Sequence, residues 1–267
     1  MHDAISRRQL IGSGAAALLL GTVRAGATAA PTGPDIGYLE ALTLPEGTPF
    51  LRPSAIPDAY GHAVYVNTAL SGAGAQKMWV TARGDTGWQL ALHDEKHWAD
   101  KGPPAYSWTV STGRKYPGDS RSGPTPVGVF NVDERKARYR PGWGSQGMYN
   151  ALYIDLHYSG GRVSGVAMHG TPTGNYRKLG RADSHGCVRM TQANADQLWA
   201  LIHPEGKRAD ASPIWGEVPR FFTSDVRADM AARTGYVRDG TVHMAADGAV
   251  LTRPGYRMLF VFFRDDL

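Results

Sequence analysis

Residues 168–190 read MHGTPTGNYRKLGRADSHGCVRM, and they contain the chain's one cysteine, Cys187, with two of its nine histidines, His169 and His185. A thiol attacks a carbonyl as thiolate, so a nucleophilic cysteine needs a group that takes its proton, a second group that aims the first, and amides that hold the oxyanion. Either histidine can serve as base. His185 and Cys187 stand at i, i+2 and would share a face of an extended segment, whereas His169 must come from a neighbouring strand. The Gly186 and Cys187 amides can point into an oxyanion site, because glycine permits unusual dihedrals.

The flanks say how this stretch is presented. Ala151 to Leu156 alternates, with Leu152, Ile154 and Leu156 on one side; Ser159-Gly160-Gly161 then turns the chain into a second strand, Val163 to Met168, with His169 at its end. On the other flank Thr191 caps a helix in which Ala195, Leu198, Trp199 and Ile202 fall at i, i+3, i+4 and i+7, with His203-Pro204 at its stop. The thiol therefore sits between a hairpin and a helix.

Further upstream, short runs rich in β-branched and aromatic residues recur: Ala63 to Val66, Met78 to Thr81, Trp88 to Leu92 and Tyr106 to Ser111. Ser122-Gly123-Pro124-Thr125-Pro126-Val127-Gly128 sets up a rigid bend into an apolar strand through Val132. Asp133 to Asn150, with four cationic side chains from Arg135 to Arg140, has the length of a lid or of a solvated surface loop. Beyond Glu205, Ser224 to Arg233 reads as a helix, Asp239-Gly240 and Asp247-Gly248 as hairpin turns, and Met258 to Phe263 as a last apolar strand.

With 267 residues, 42% of them hydrophobic, the chain has ample material for one large domain or two small ones. Its 33 glycines and 17 prolines favour short strands joined by turns over a helical bundle, so the fold class is mainly β. Ser6-Arg7-Arg8-Gln9-Leu10-Ile11, the apolar run to Val23 and the small residues to Ala29 resemble a twin-arginine export signal over residues 1–29. The run is shorter than the roughly 20 residues of a membrane span. Pro-rich residues 30–61 read as a linker or an arm lying on the domain.

Removal of residues 1–29 lowers the formal charge from +5 to +3, with no stripe of basic and aromatic residues, which argues against nucleic acid as a partner and leaves room for an acidic polymer. A lone cysteine in an exported protein cannot form an internal disulfide; it is inert, bridged to another chain, or a nucleophile. His93 and His97 are four apart, but the intervening Asp-Glu-Lys departs from the zinc protease pattern. A zinc held by His169, His185 and Cys187 is chemically allowed.

These motifs together resemble the L,D-transpeptidase catalytic domain, or YkuD domain. The resemblance rests on His169, a spacer, and Ser184-His185-Gly186-Cys187-Val188-Arg189, with Thr125-Pro126-Val127-Gly128-Val129-Phe130 and Met148-Tyr149 upstream, and it covers Trp79 to Ile202. It implies a YkuD-like β-sandwich over residues 62–203 with one or two short helices near the site. A C-terminal α+β extension, 204–267, would follow, its last strand either completing the sheet or belonging to the appendage. It implies further that Cys187 is the nucleophile and His169 the base, with the Gly170 carbonyl aiming the ring. His185, Gly186, Ser184, Arg189 and Tyr149 would form the oxyanion and substrate region, and Asp133 to Asn150 the lid. The implied reaction is acyl transfer on peptidoglycan tetrapeptide stems in the periplasm, with release of D-alanine and formation of 3→3 cross-links, without cofactor or metal. Attack by water would make the same site an L,D-carboxypeptidase, and an amidase acting on wall-attached protein or a non-catalytic wall-binding module would keep the same fold.

Overall fold

The computed structural model describes residues 36–46, 48–92, 107–133, 147–156, 164–203, 209–221, 242 and 244–266. The expected signal segment, the turn at 157–163, the helix at 224–233 and the 239–240 turn lie outside the described residues. After a short helix, Ile36–Ala41 (α1), come the strands His62–Asn67 (β1), Lys77–Gly84 (β2), Gly87–Leu92 (β3), Trp108–Thr109 (β4) and Gly128–Asn131 (β5). Tyr149–Tyr153 (β6), Ala167–Gly170 (β7) and Val188–Met190 (β8) follow, then the helix Gln192–Ile202 (α2). Trp215–Pro219 (β9), Thr252–Tyr256 (β10) and Met258–Phe263 (β11) complete the order.

Among the described residues the strands form three sheets and no closed barrel. The largest has the order β3-β2-β1-β11-β5, with β4 pairing β2; the second is β6-β7-β8, and β9 and β10 make a two-stranded ribbon. The two larger sheets face each other. Val64, Val66, Met78, Val80, Phe130, Phe260 and Phe262 from one pack with Leu152, Ile154, Met168, Val188 and Met190 from the other, and Ala195, Leu198 and Ile202 of α2 join them. Alternation thus becomes layer structure: Leu152, Ile154 and Leu156 point into this core, whereas Ala151 and Tyr153 point the other way into a small cluster with Met148 and Ala167.

The uninterrupted apolar run of β11 has a different cause. It pairs parallel with β1 and antiparallel with β5, so it lies inside the sheet, and both its faces are covered. Phe260 and Phe262 face the main core, while Leu259, Val261 and Phe263 face a second cluster with Tyr65, Trp79 and Val129. A strand buried on both sides shows no polar alternation. The outer cluster is closed by the Pro-rich arm, through Leu39 of α1, Ile56 and Tyr60. Tyr60 fastens it by donating to the Pro219 carbonyl at 2.6 Å while accepting from Asn131 Nδ2 at 2.8 Å. The arm is therefore a packed cover that contains a helical turn, and residues 31–267 make one compact unit. In α2 the Thr191 hydroxyl accepts from the Asn194 N–H at 3.2 Å, the cap the sequence pattern predicts.

Candidate active site

β7 and β8 run parallel, with Met168 opposite Val188 and His169 opposite Arg189. Met168, Val188 and Met190 belong to the main core, so period-2 alternation sends Ala167 and His169 to the opposite face. Cys187, just ahead of β8, packs against the cluster that contains Ala167, with its Sγ 3.9 Å from the Gly165 carbonyl oxygen. Thiol and imidazole thus belong to one side of one small sheet, with His169 paired to Arg189, two residues beyond Cys187.

His169 is 5% exposed, and its Nδ1 lies 2.8 Å from the Gly170 carbonyl oxygen. A carbonyl can only accept, so Nδ1 carries the proton and Nε2 keeps its lone pair. Burial pushes the imidazole down to about 4, the Arg189 charge pushes the same way, and the Gly170 carbonyl opposes them. At neutral pH this ring is a neutral base. Gly170 permits the close packing behind it: a Cβ there would stand 3.1 Å from Ala195 Cβ and from Gln192 Cα, and 3.2 Å from Tyr149 Cβ.

His185 has a different setting. Its side chain is 56% exposed, its ring stacks on Tyr116 with centroids 4.6 Å apart, and its Nε2 is 3.3 Å from Asp119 Oδ2. Ser184 is buried and acts as a strut, its hydroxyl donating to the Cys187 carbonyl and accepting from the Gly186 N–H at 3.1 Å. That bond engages one of the two amides expected at an oxyanion site, so the Gly186 N–H faces Ser184 Oγ in this conformation. Arg189 is half-buried and donates to the Asp183 carbonyl at 2.8 Å. Tyr149, also half-buried, starts β6 opposite Gly170.

The loop from Ser111 to Thr125 holds the thiol loop, and sequence reading missed most of this. Ser111 and Arg189 exchange both backbone bonds at 2.9 Å, the Asp183 and Ser184 amides donate to the Thr112 carbonyl, and the Gly123 N–H donates to the His185 carbonyl at 3.2 Å. Thr125 Oγ1 accepts from the Gly113 N–H at 2.8 Å and donates to the Gly186 carbonyl at 2.9 Å. Gly186 itself has φ +142°, a backbone state that glycine adopts readily. The Thr-Pro signature was the one hint of the cradle; nothing in the spacing points to Tyr116 or Asp119.

Asp183 organises the outer edge. Burial alone would raise its carboxyl, but hydrogen bonds from Lys178 and Tyr116, with the charges of Lys178 and Arg114, hold it below the usual carboxylate range. Lys178 Nζ is 2.9 Å and Arg114 3.1 Å from its oxygens. Of the expected lid only Asp133 and residues 147–150 are described, and His93 and His97 lie outside the described residues. Among the described residues no group of three or more His, Cys, Asp or Glu is placed to hold a metal ion.

Residues 89–209 match the family described as the L,D-transpeptidase catalytic domain, YkuD. No curated protein matches the chain. Among solved structures, it is similar to an L,D-transpeptidase from Mycobacterium smegmatis at 17% identity and TM-score 0.30, over 53% of this chain and 54% of that one. It is also similar to one from Mycobacterium tuberculosis H37Rv, at 18% identity and TM-score 0.34, over 52% of each. A third, from Xylanimonas cellulosilytica DSM 15894, matches at 20% identity and TM-score 0.31, over 54% of this chain and 56% of that one. The chain spans about half the length of these solved chains.

Proposed function

We propose that this chain, whose residues 89–209 match the L,D-transpeptidase catalytic domain model, is an exported cysteine acyltransferase that acts on peptidoglycan tetrapeptide stems. The observation that carries the reading is the buried, neutral His169 with Nδ1–H on the Gly170 carbonyl, one strand away from Cys187 and on the same face of the sheet. In this reading Nε2 takes the Cys187 proton and the thiolate attacks the carbonyl of the L-centre residue. The resulting imidazolium returns its proton to the amine of D-alanine as the C–N bond breaks, which leaves a thioester on Cys187. An amine from a second stem then displaces the thiol and forms a 3→3 cross-link. The leader resembling a twin-arginine signal fits action in the periplasm. His185, Ser184, Gly186 and Arg189 shape the thiol loop, and the Cys187 N–H is the amide assigned to the oxyanion.

The test is intact-protein mass spectrometry after incubation with a defined tetrapeptide stem. The expected result is a Cys187 adduct equal to the stem minus D-alanine, absent in Cys187→Ala and formed 10²- to 10⁴-fold more slowly in His169→Ala, as loss of a general base requires. His185→Ala should lose far less. An unimpaired His169→Ala, or wild-type protein that binds peptidoglycan with no adduct, would overturn the reading. With an adduct established, the free products separate cross-linking from hydrolysis.

A further inference from the structure

The distribution of charge on this chain is uneven, and the excess lies in the cradle segment and in the segment that contains the thiol loop. The cradle segment 113–123 contains Arg114, Lys115 and Arg121 against Asp119, and the segment 173–189 contains Arg177, Lys178, Arg181 and Arg189 against Asp183. Taking these seven cations and two carboxylates from the chain's 29 basic and 24 acidic residues leaves 22 of each sign. The whole formal charge of +5 is therefore carried by two short segments.

The fold puts them side by side. Gly113 bridges Ser184, the Arg114 N–H donates to the Ser184 carbonyl at 2.9 Å, and Asp183 joins Arg114 of one segment to Lys178 of the other. Both carboxylates are engaged inside the cluster, Asp183 by these two cations and Asp119 by His185. Five of the seven cations, namely Arg114, Lys115, Arg121, Arg177 and Arg181, are exposed. A surface of one sign, within the screening length of about 8–10 Å of its neighbours, concentrates an oppositely charged ligand and speeds its arrival.

We infer that this basic face is a substrate-recruiting surface that recognises the free carboxylates of the peptide stems and delivers them to Cys187. The inference rests on the acyl-transfer reading above and adds to it a recognition element outside the signature residues. Arg121, Arg177 and Arg181 contribute through their charge. The arrangement makes acylation dependent on ionic strength and on the charge state of the stem.

The experiment compares wild type with the triple variant Arg121→Gln, Arg177→Gln, Arg181→Gln, with Arg52→Gln as a control at an exposed position in the arm, using circular dichroism to check folding. The second-order rate of Cys187 thioester formation is measured from 20 to 500 mM salt with a tetrapeptide stem bearing free carboxylates and with its amidated analogue. Expected are a loss on the order of tenfold in the triple variant at low salt, convergence with wild type at high salt, and a flat salt profile for the amidated stem. An unchanged salt profile in the triple variant overturns the surface, and equal salt dependence for the amidated stem overturns carboxylate recognition, while the thioester itself still supports acyl transfer. If wild type forms no thioester, the acyl-transfer reading fails, and retention on isolated peptidoglycan decides the surface. Salt-sensitive retention that the triple variant loses supports it, and identical retention of both proteins overturns it.

Discussion

His169 is where burial and chemistry meet at the scale of one residue. Its folded-state pKa of about 4 stands below the ordinary 6.5, so the unfolded chain binds a proton that the folded chain refuses between those values. Stability from this group is fully present above pH 6.5, falls as pH drops through the window, and is gone below 4. The shift corresponds to about 3 kcal/mol at most. Urea unfolding of wild type and His169→Gln at pH 7 and pH 4.5 should show a smaller loss on acidification in the variant; equal losses would refute the depressed pKa. The sequence supplied His169 and His185 as two candidate bases, and their spacing to Cys187 did not choose between them. The stack of His185 on Tyr116 joins residues 69 positions apart, which spacing cannot encode.

Among the elements, the loop 111–125 matters more than its lack of regular structure implies. At Gly113 an added Cβ would stand 2.4 Å from the Gly123 carbonyl oxygen and 2.5 Å from Gly186 Cα, both backbone atoms. Neither can turn away as a side chain would, so the thiol loop itself must shift. Gly113→Ala is expected to cost about 1–3 kcal/mol and to slow alkylation or acylation of Cys187 at least tenfold. Gly174→Ala, where nothing lies within 4 Å, should change neither. Equal behaviour of the two variants in thermal melts and thiol-labelling rates would show that the cradle is not rigid. The hairpin β6-β7 and the cap of α2 were legible because each is written in local alternation or in one hydroxyl placed before a helix. The cradle was not, since its bonds pair backbone and side-chain groups of segments some 60 to 80 residues apart, which no local pattern records.

For the whole molecule, the strand Met258–Phe263 decides whether there is one core or two. Its apolar run was visible as a strand, yet the sequence left open whether it completed the main sheet or an appendage. The pairing partners, β1 and β5, settle that it lies between them. Phe262, fully buried in the core shared by the two large sheets and 5.5 Å ring to ring from Phe130 of the neighbouring strand, is a large apolar anchor, so Phe262→Ala should destabilise by about 3–5 kcal/mol. A denaturant midpoint within error of wild type would contradict that placement.

The parallel pairing of His62 with Met258 also governs how the structure is reached. Closing a chain loop of nearly 200 residues carries an entropy cost of about 5 kcal/mol before β1 and β11 gain anything from contact. Local hairpins such as β2-β3 and β6-β7 can form early, but the double-faced core cannot, and the thiol loop waits on that core for its support. Acquisition of a competent site is therefore tied to a late, non-local event, and refolding belongs with slow, high-contact-order β proteins.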